Sequence, residues 1–212
     1  MKLYSFFNSS TSMRVRIALA LKGLAHEIVP VNIRSLEHRS AGYVDMNASA
    51  SVPTLVDGEV VLGQSLAIVD YLDATYPNPR LIPTEAQRRA RVLELASLIG
   101  SDIHPVNNLR VLRYLQDELG ISGEQKNAWY AHWIAEGFAA AERLLARHAT
   151  GPYCFGDAPT LADCWLVPQV GNALRMQCQI TAYPRVEAIY RHCMAQPAFQ
   201  AAAPDRQPDY VR

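Results

Sequence analysis

The sequence has little that would tie it to a membrane, a metal or a polyanion. Lys plus Arg equals Asp plus Glu at 20 each over 212 residues, so no net charge draws it to nucleic acid or an anionic bilayer. Any anion it binds must be held by local arrangement. No apolar run approaches the ~20 residues of a membrane-spanning helix, and the opening MKLYSFF is too short an apolar run for a secretory signal. Only four cysteines occur, Cys154, Cys164, Cys178 and Cys193, with no CxxC pair and no metal-ligand spacing. They read as reduced, mostly buried thiols of a cytoplasmic protein with no metal site. Repeats and low-complexity tracts are also missing.

What is present is ordinary globular material. Half the residues are hydrophobic and 19% are charged, enough at this length for one large domain or two small ones with a real core. Residues 2–7 (KLYSFF) read as a strand, 13–22 as a helix stopped by Gly23, and 26–33 (HEIVPVNI) as a second strand. Residues 34–50 look irregular. Residues 54–56 and 60–62 flank Asp57–Gly58, a strong hairpin signal, and a helix follows over 65–76. The order β-α-β, long connection, β-β-α predicts a thioredoxin-like α/β domain over 1–80. Three prolines in 77–84 (PNPRLIPT) mark a linker, taken as 77–85. The rest, 86–212, reads as an all-α domain. Its first helical pattern, 86–119, should break at Pro105; others cover 124–149 and 184–195, and Thr160 with Asp163 opens one more as a capping-box variant.

Four places carry candidate chemistry. Ser9-Ser10-Thr11-Ser12 lies between a strand and a helix. Helix capping is the plain reading. Hydroxyls at a helix start also stabilise an anion, and a thiol with an ordinary pKa of ~8.5 reacts only as thiolate. Arg14 and Arg16 would add positive charge nearby. Val52-Pro53 precedes a strand: either a strand-start proline, or a cis peptide that presents the Val52 backbone to an extended ligand. Gln64-Ser65 is either a cap or a carboxylate nest. His104 to Arg110 (HPVNNLR) gathers polar groups at the expected break, where they would often only satisfy freed carbonyls.

Together these sites resemble the zeta class of glutathione transferases. SSTSMRVRIALALKG, residues 9–23, is similar to that class's SSCSWRVRIALALKG signature, and the likeness continues through VPTL, GQSLAIVDYL, LIP, TLADCWLVPQ and the closing RQPD. It covers nearly the whole chain and is nearest to bacterial maleylpyruvate isomerases. The resemblance implies a glutathione-transferase fold, an α/β thioredoxin-like domain plus an all-α domain, and a homodimer in the cytoplasm. It implies glutathione as cofactor and isomerisation of maleylpyruvate to fumarylpyruvate in aromatic (gentisate) catabolism, by reversible addition of the glutathione thiolate to the cis double bond. Ser9, Ser10 and Thr11 would surround the sulfur. Val52 and Pro53 would meet the peptide backbone, Gln64 and Ser65 the γ-glutamyl end, His38 and His104 the glycine end. Asn108, Leu109 and Arg110 would line the same cleft.

The class often has cysteine where this chain has Thr11, so Thr11 is expected to position and not to attack. Arg175 and Arg110 are the candidates for the substrate carboxylates, because a planar guanidinium binds carboxylate bidentately. Without the resemblance Arg175 is as well explained as a solvated helix residue. Met13, Leu109 and Met176 could form an apolar wall or plain core. The alternatives are a maleylacetoacetate isomerase, a conjugating glutathione transferase, and a non-catalytic binding module. A thioredoxin-type oxidoreductase is disfavoured by the lack of cysteine at 9–12. A smaller residue is common at the Arg110 position among maleylacetoacetate isomerases of the class, which favours maleylpyruvate.

Overall fold

The sheet is assembled around β1, whose apolar residues are sandwiched between two partners. β1 (Lys2–Ser5) pairs in parallel with β2 (Glu27–Pro30) and antiparallel with β3 (Thr54–Asp57), and β3 pairs antiparallel with β4 (Val60–Gly63). The strand order is β2-β1-β3-β4. Leu3 and Leu55 meet across the sheet and are both fully buried. The computed structural model describes residues 1–211.

The helices α1 (Ser10–Leu21) and α3 (Ser65–Thr75) pack on each other, and α3 also meets β4. The α1 helix starts three residues earlier than the apolar pattern suggests, because Ser9 caps it and Ser10 to Ser12 form its first turn. The stretch 34–50 is less irregular than expected. It holds a 3-10 turn, Glu37–Arg39, and a short helix, α2 (Ala41–Met46). The hairpin turn lies at Gly58 and Glu59, one residue later than read, with Gly58 at φ +60°. Asp57 stays in the strand because its Oδ2 accepts from the hydroxyls of Tyr71 and Tyr76 at 3.1 and 2.8 Å.

The chain divides into two compact units, Met1–Leu81 together with the chain from Met194 onward, and Ile82–Cys193. The sequence pattern alone would place the tail beyond Met194 in the helical domain. It joins the α/β unit because α9 (Pro197–Ala201) packs on α1, and the Arg16 guanidinium donates to the Ala202 carbonyl at 3.0 Å.

The second unit is helical: α4 (Ala86–Ser97), α5 (Leu109–Asp117), α6 (Gly123–His148), α7 (Leu161–Arg175) and α8 (Pro184–Met194). The 86–119 pattern does break. After α4 come a π-helical turn, Leu98–Ile103, and a 3-10 turn, Pro105–Asn107, since Pro105 has no N–H to continue the ladder. A β-carbon on Gly137 would sit 2.3 Å from Ile103 Cδ1, so glycine lets α6 approach that turn. Every residue of α7 from Leu161 to Val170 is buried. Its start is held by Asp163, whose carboxylate accepts from the Thr160 N–H and hydroxyl at 2.8 and 3.0 Å and from the Cys154 N–H at 2.8 Å. Among the described residues no helix is long and apolar enough to cross a membrane.

One buried ion pair closes the α/β unit. Lys22 Nζ, at the end of α1, lies 2.6 Å from Asp73 Oδ1, with side chains 0% and 4% exposed. Lys22 also donates to the carbonyls of Tyr76 and Pro79 at 2.8 and 2.7 Å, and Asp73 accepts from the Leu81 N–H at 2.9 Å. Removing one charge would strand the other, at a cost of roughly 3–5 kcal/mol. Asp73→Asn and Lys22→Met are therefore expected to lower the urea midpoint followed by circular dichroism. An unchanged midpoint in both would show that the pair is not holding the unit together.

Candidate active site

Three hydroxyls crowd the start of α1. Ser9 Oγ accepts the Ser12 N–H at 3.2 Å and lies 2.9 Å from Thr11 Oγ1. Thr11 Oγ1 donates to the Val52 carbonyl at 2.8 Å. A hydroxyl has one proton, and Thr11 gives its own to Val52. Along the Ser9–Thr11 contact Ser9 must then be the donor. The cap reading and the anion reading of this motif are both physically present: Ser9 satisfies one α1 amide and also carries a proton that can turn. Ser10 is the first residue of α1 and is buried.

The same network brings Val52 to the hydroxyls from 41 positions away in sequence. The Val52–Pro53 bond is cis. The loop is braced from its other side by α2. Tyr43 Oη donates to the Ser51 carbonyl at 2.8 Å, and Asn47 Nδ2 donates to that carbonyl and to Thr54 Oγ1, both at 2.8 Å. Neither Tyr43 nor Asn47 stood out in the sequence, because they are the two buried residues of an otherwise polar and largely exposed stretch, 41–50.

At α3, Gln64 occupies the cap position with φ 63° and makes no capping bond through its side chain. Ser65 is buried at the first helical position, and Arg14 Nη1 reaches its Oγ at 3.4 Å from below. The Arg14 side chain is 3% exposed, and burial pushes its guanidinium down to about 9, still protonated at neutral pH. Arg14 thus places positive charge under α3, as α1 lies beside it. Arg16 does not face the hydroxyls. It is buried and bonded to backbone carbonyls, with burial lowering its pKa to about 10 against the pull of Asp209, which raises it. His38 lies half-buried in the 3-10 turn Glu37–Arg39.

In the helical unit, His104 to Arg110 forms one local knot. Asn108 caps α5 through the Arg110 N–H at 3.1 Å, and its Nδ2 donates to His104 Nε2 at 3.2 Å, which puts the histidine proton on Nδ1. The expected polar cluster at the helix break is therefore in part a cap. Leu109 is 39% exposed and Arg110 is exposed at the start of α5, a helix with no buried residue. Arg175 is exposed at the last position of α7. Burial pushes the Tyr130 phenol up to about 12, and the Arg175 charge opposes that rise. Met13 is core, while Met176 is half-buried. The cysteines stand apart from this chemistry: Cys154, Cys164 and Cys193 are buried in the helical unit, and burial raises the thiol pKa of Cys154 and Cys193.

If a glutathione sulfur is held at α1, removing a hydroxyl should weaken its anionic form. One lost charge-assisted hydrogen bond is worth roughly 1.5–3 kcal/mol, or about one to two pKa units of the bound thiol. Ser9→Ala is expected to show this rise in ultraviolet titration of bound glutathione, together with about 1 kcal/mol of lost helix capping. Unchanged titrations in both Ser9→Ala and Ser10→Ala would assign the effect to the helix amides alone.

Residues 1–74 match the glutathione S-transferase N-terminal domain family. A maleylpyruvate isomerase from a Ralstonia species is 47% identical over 99% of this chain and 99% of its own length. A probable maleylacetoacetate isomerase from Vibrio cholerae is also 47% identical, over 98% and 97%. A solved holo structure of a maleylpyruvate isomerase, described as a bacterial zeta-class glutathione transferase, superposes with a TM-score of 0.97 at 47% identity, covering 100% of both chains. The maleylacetoacetate isomerase of Methylobacterium extorquens, solved with malonate and glutathione bound, gives 0.96 at 34% identity over 100% of both chains. With identities of this size over its full length, and hydroxyls where the family signature places them, the chain belongs to the zeta-class glutathione transferase family.

Proposed function

We propose that this chain isomerises maleylpyruvate to fumarylpyruvate with glutathione as cofactor. The observation that carries the reading is the hydroxyl-lined start of α1 with no protein thiol in its motif. Such a place suits a sulfur anion brought from outside. Glutathione fits the residues present. The first amides of α3 receive no side-chain cap from Gln64, so they, the Ser65 hydroxyl and the Arg14 charge beneath suit a carboxylate. When bound, glutathione supplies a thiolate that adds reversibly to the cis double bond and frees it to rotate.

The chain's own residues then have distinct tasks. Ser9 turns its proton from Thr11 towards the sulfur, Ser10 and the α1 amides favour the anion, and Thr11 keeps the Val52 loop in register. Val52 and Pro53 offer backbone to the cofactor, with Gln64 and Ser65 at one end and His38, His104, Asn108 and Leu109 assigned to the other. Arg175 takes one substrate carboxylate and Arg110 the second. The equal identity to the Vibrio cholerae relative supports a second reading, maleylacetoacetate, whose tail carboxylate lies one carbon further out.

We assign the protein to the cytoplasm and to a homodimer. A groove of about 470 Å³ between α4 and α6 carries Glu94 and Asp102 on one side and Arg143 and Arg147 on the other. Opposite charges across one face suit a two-fold pairing of like surfaces. Light scattering that finds only monomer at micromolar concentration would remove this assignment.

Glutathione is expected to be needed in less than stoichiometric amount and to be recovered unchanged. Consumption of one glutathione per product would replace the isomerase by a conjugating transferase. Arg110→Ala and Arg175→Ala are expected to lower kcat/KM for maleylpyruvate by a few kcal/mol of binding energy if the pairs are desolvated. Arg175→Ala should leave glutathione affinity nearly intact. If Arg110→Ala handles maleylpyruvate as well as the parent, its choice over maleylacetoacetate rests elsewhere.

A further inference from the structure

The closing RQPD motif has no part in the chemistry above, yet it reaches the loop that carries the hydroxyls. The Phe7 N–H donates to Asp209 Oδ2 at 2.8 Å, 202 positions away in sequence. The Phe7 ring meets the Tyr210 ring edge-on at 5.5 Å. Gln207 Nε2 donates to the carbonyls of Ala201 and Ala203 at 3.0 and 2.9 Å, which closes the bend that delivers Asp209. Arg16 donates to the Phe6 and Phe7 carbonyls at 3.2 and 3.0 Å and to Ser5 Oγ at 2.9 Å. The Ser9 N–H hangs from that same Phe6 carbonyl at 3.0 Å. Tail, Phe7, Arg16, Phe6 and Ser9 form one unbroken chain of contacts.

Asp209 is poorly chosen as mere glue. Its Oδ1 is buried with no hydrogen-bond partner among the described residues, which carries a desolvation cost that a smaller neutral side chain would avoid. What the charge gains is a field on Arg16. We propose that Asp209 is a positioning residue for the reaction: with Arg16 it holds the Phe6–Phe7 backbone through its N–H and carbonyls and so fixes the chain that aims the Ser9 hydroxyl. The inference rests on the reading of Ser9 as a group that serves a bound thiolate. Hydroxyl placement matters here because a shift of well under 1 Å changes a hydrogen bond to sulfur while leaving the fold intact.

The test is Asp209→Ala, compared with Asp209→Asn, which keeps an oxygen for the Phe7 N–H. Ultraviolet titration of bound glutathione needs no maleyl substrate, so it reads the positioning even if the isomerase reading fails. In Asp209→Ala the bound thiol should titrate at higher pH than in the parent and kcat should fall about tenfold, as misplacement by a fraction of an ångström does. KM for glutathione should stay within about twofold, and Asp209→Asn should recover most of both losses. Tyr210→Ala, at a half-exposed position, should move the same two quantities in the same direction by less, and it decides the matter alone if Asp209→Ala does not fold. A lowered melting temperature with the parent's thiol titration and kcat would make the tail purely structural and overturn the proposal.

Discussion

Arg16 is the constraint on which the start of α1 depends. Arg16 is 2% exposed inside α1, and each of its three guanidinium nitrogens donates to the chain around it: to Ser5 Oγ, the carbonyls of Phe6 and Phe7, and the carbonyl of Ala202. A charge buried this deeply is tolerable only when fully hydrogen-bonded. The strand-to-helix connection must therefore bend so that successive carbonyls face one point. That bend delivers Ser9 to the cap position of α1, and it ties the tail to the α/β unit in place of the helical one. The Arg34 guanidinium, 5.5 and 5.4 Å from the Phe6 and Phe7 rings, covers the same two residues from outside.

The replacement of cysteine by Thr11 acquires a physical meaning in this setting. A threonine hydroxyl can donate to the Val52 carbonyl while accepting from Ser9. A thiol is a weak donor and a weak acceptor, and would do both poorly. Thr11 therefore joins the α1 start to the Val52 loop with two ordinary hydrogen bonds. Tyr43 and Asn47 hold the Ser51 carbonyl from behind, so the loop is fixed on both sides.

The helical unit is built on a different principle. Its interior is mostly apolar, with Asp163, Thr160, Gln169 and Asn107 as buried polar residues; burial raises the Asp163 carboxyl pKa, and hydrogen bonds from Cys154 and Thr160 oppose that rise. The groups assigned to substrate stand at element ends, Arg110 just after the helix break and Arg175 at the last turn of α7. Helix ends are where long charged side chains can reach outward without disturbing a packed core.

Much of this was legible in the sequence because it follows from local rules. Alternating apolar residues gave the strands, Asp57 and Gly58 the hairpin, Pro105 the helix break, and Thr160 with Asp163 the start of α7. The Ser9–Thr11 motif stood out because hydroxyls next to a helical run are a local pattern. What the sequence could not supply were contacts between residues far apart along the chain. Nothing local indicates that Arg16 turns inward to carbonyls, that Arg14 lies beneath Ser65, or that Asp209 reaches Phe7. The hairpin turn moved by one residue because tyrosines on and just after α3 hold Asp57 in the strand. Sequence patterns determined which elements form. Tertiary packing alone decided where buried charges find their partners, because a buried guanidinium takes whichever carbonyls the folded chain brings to it.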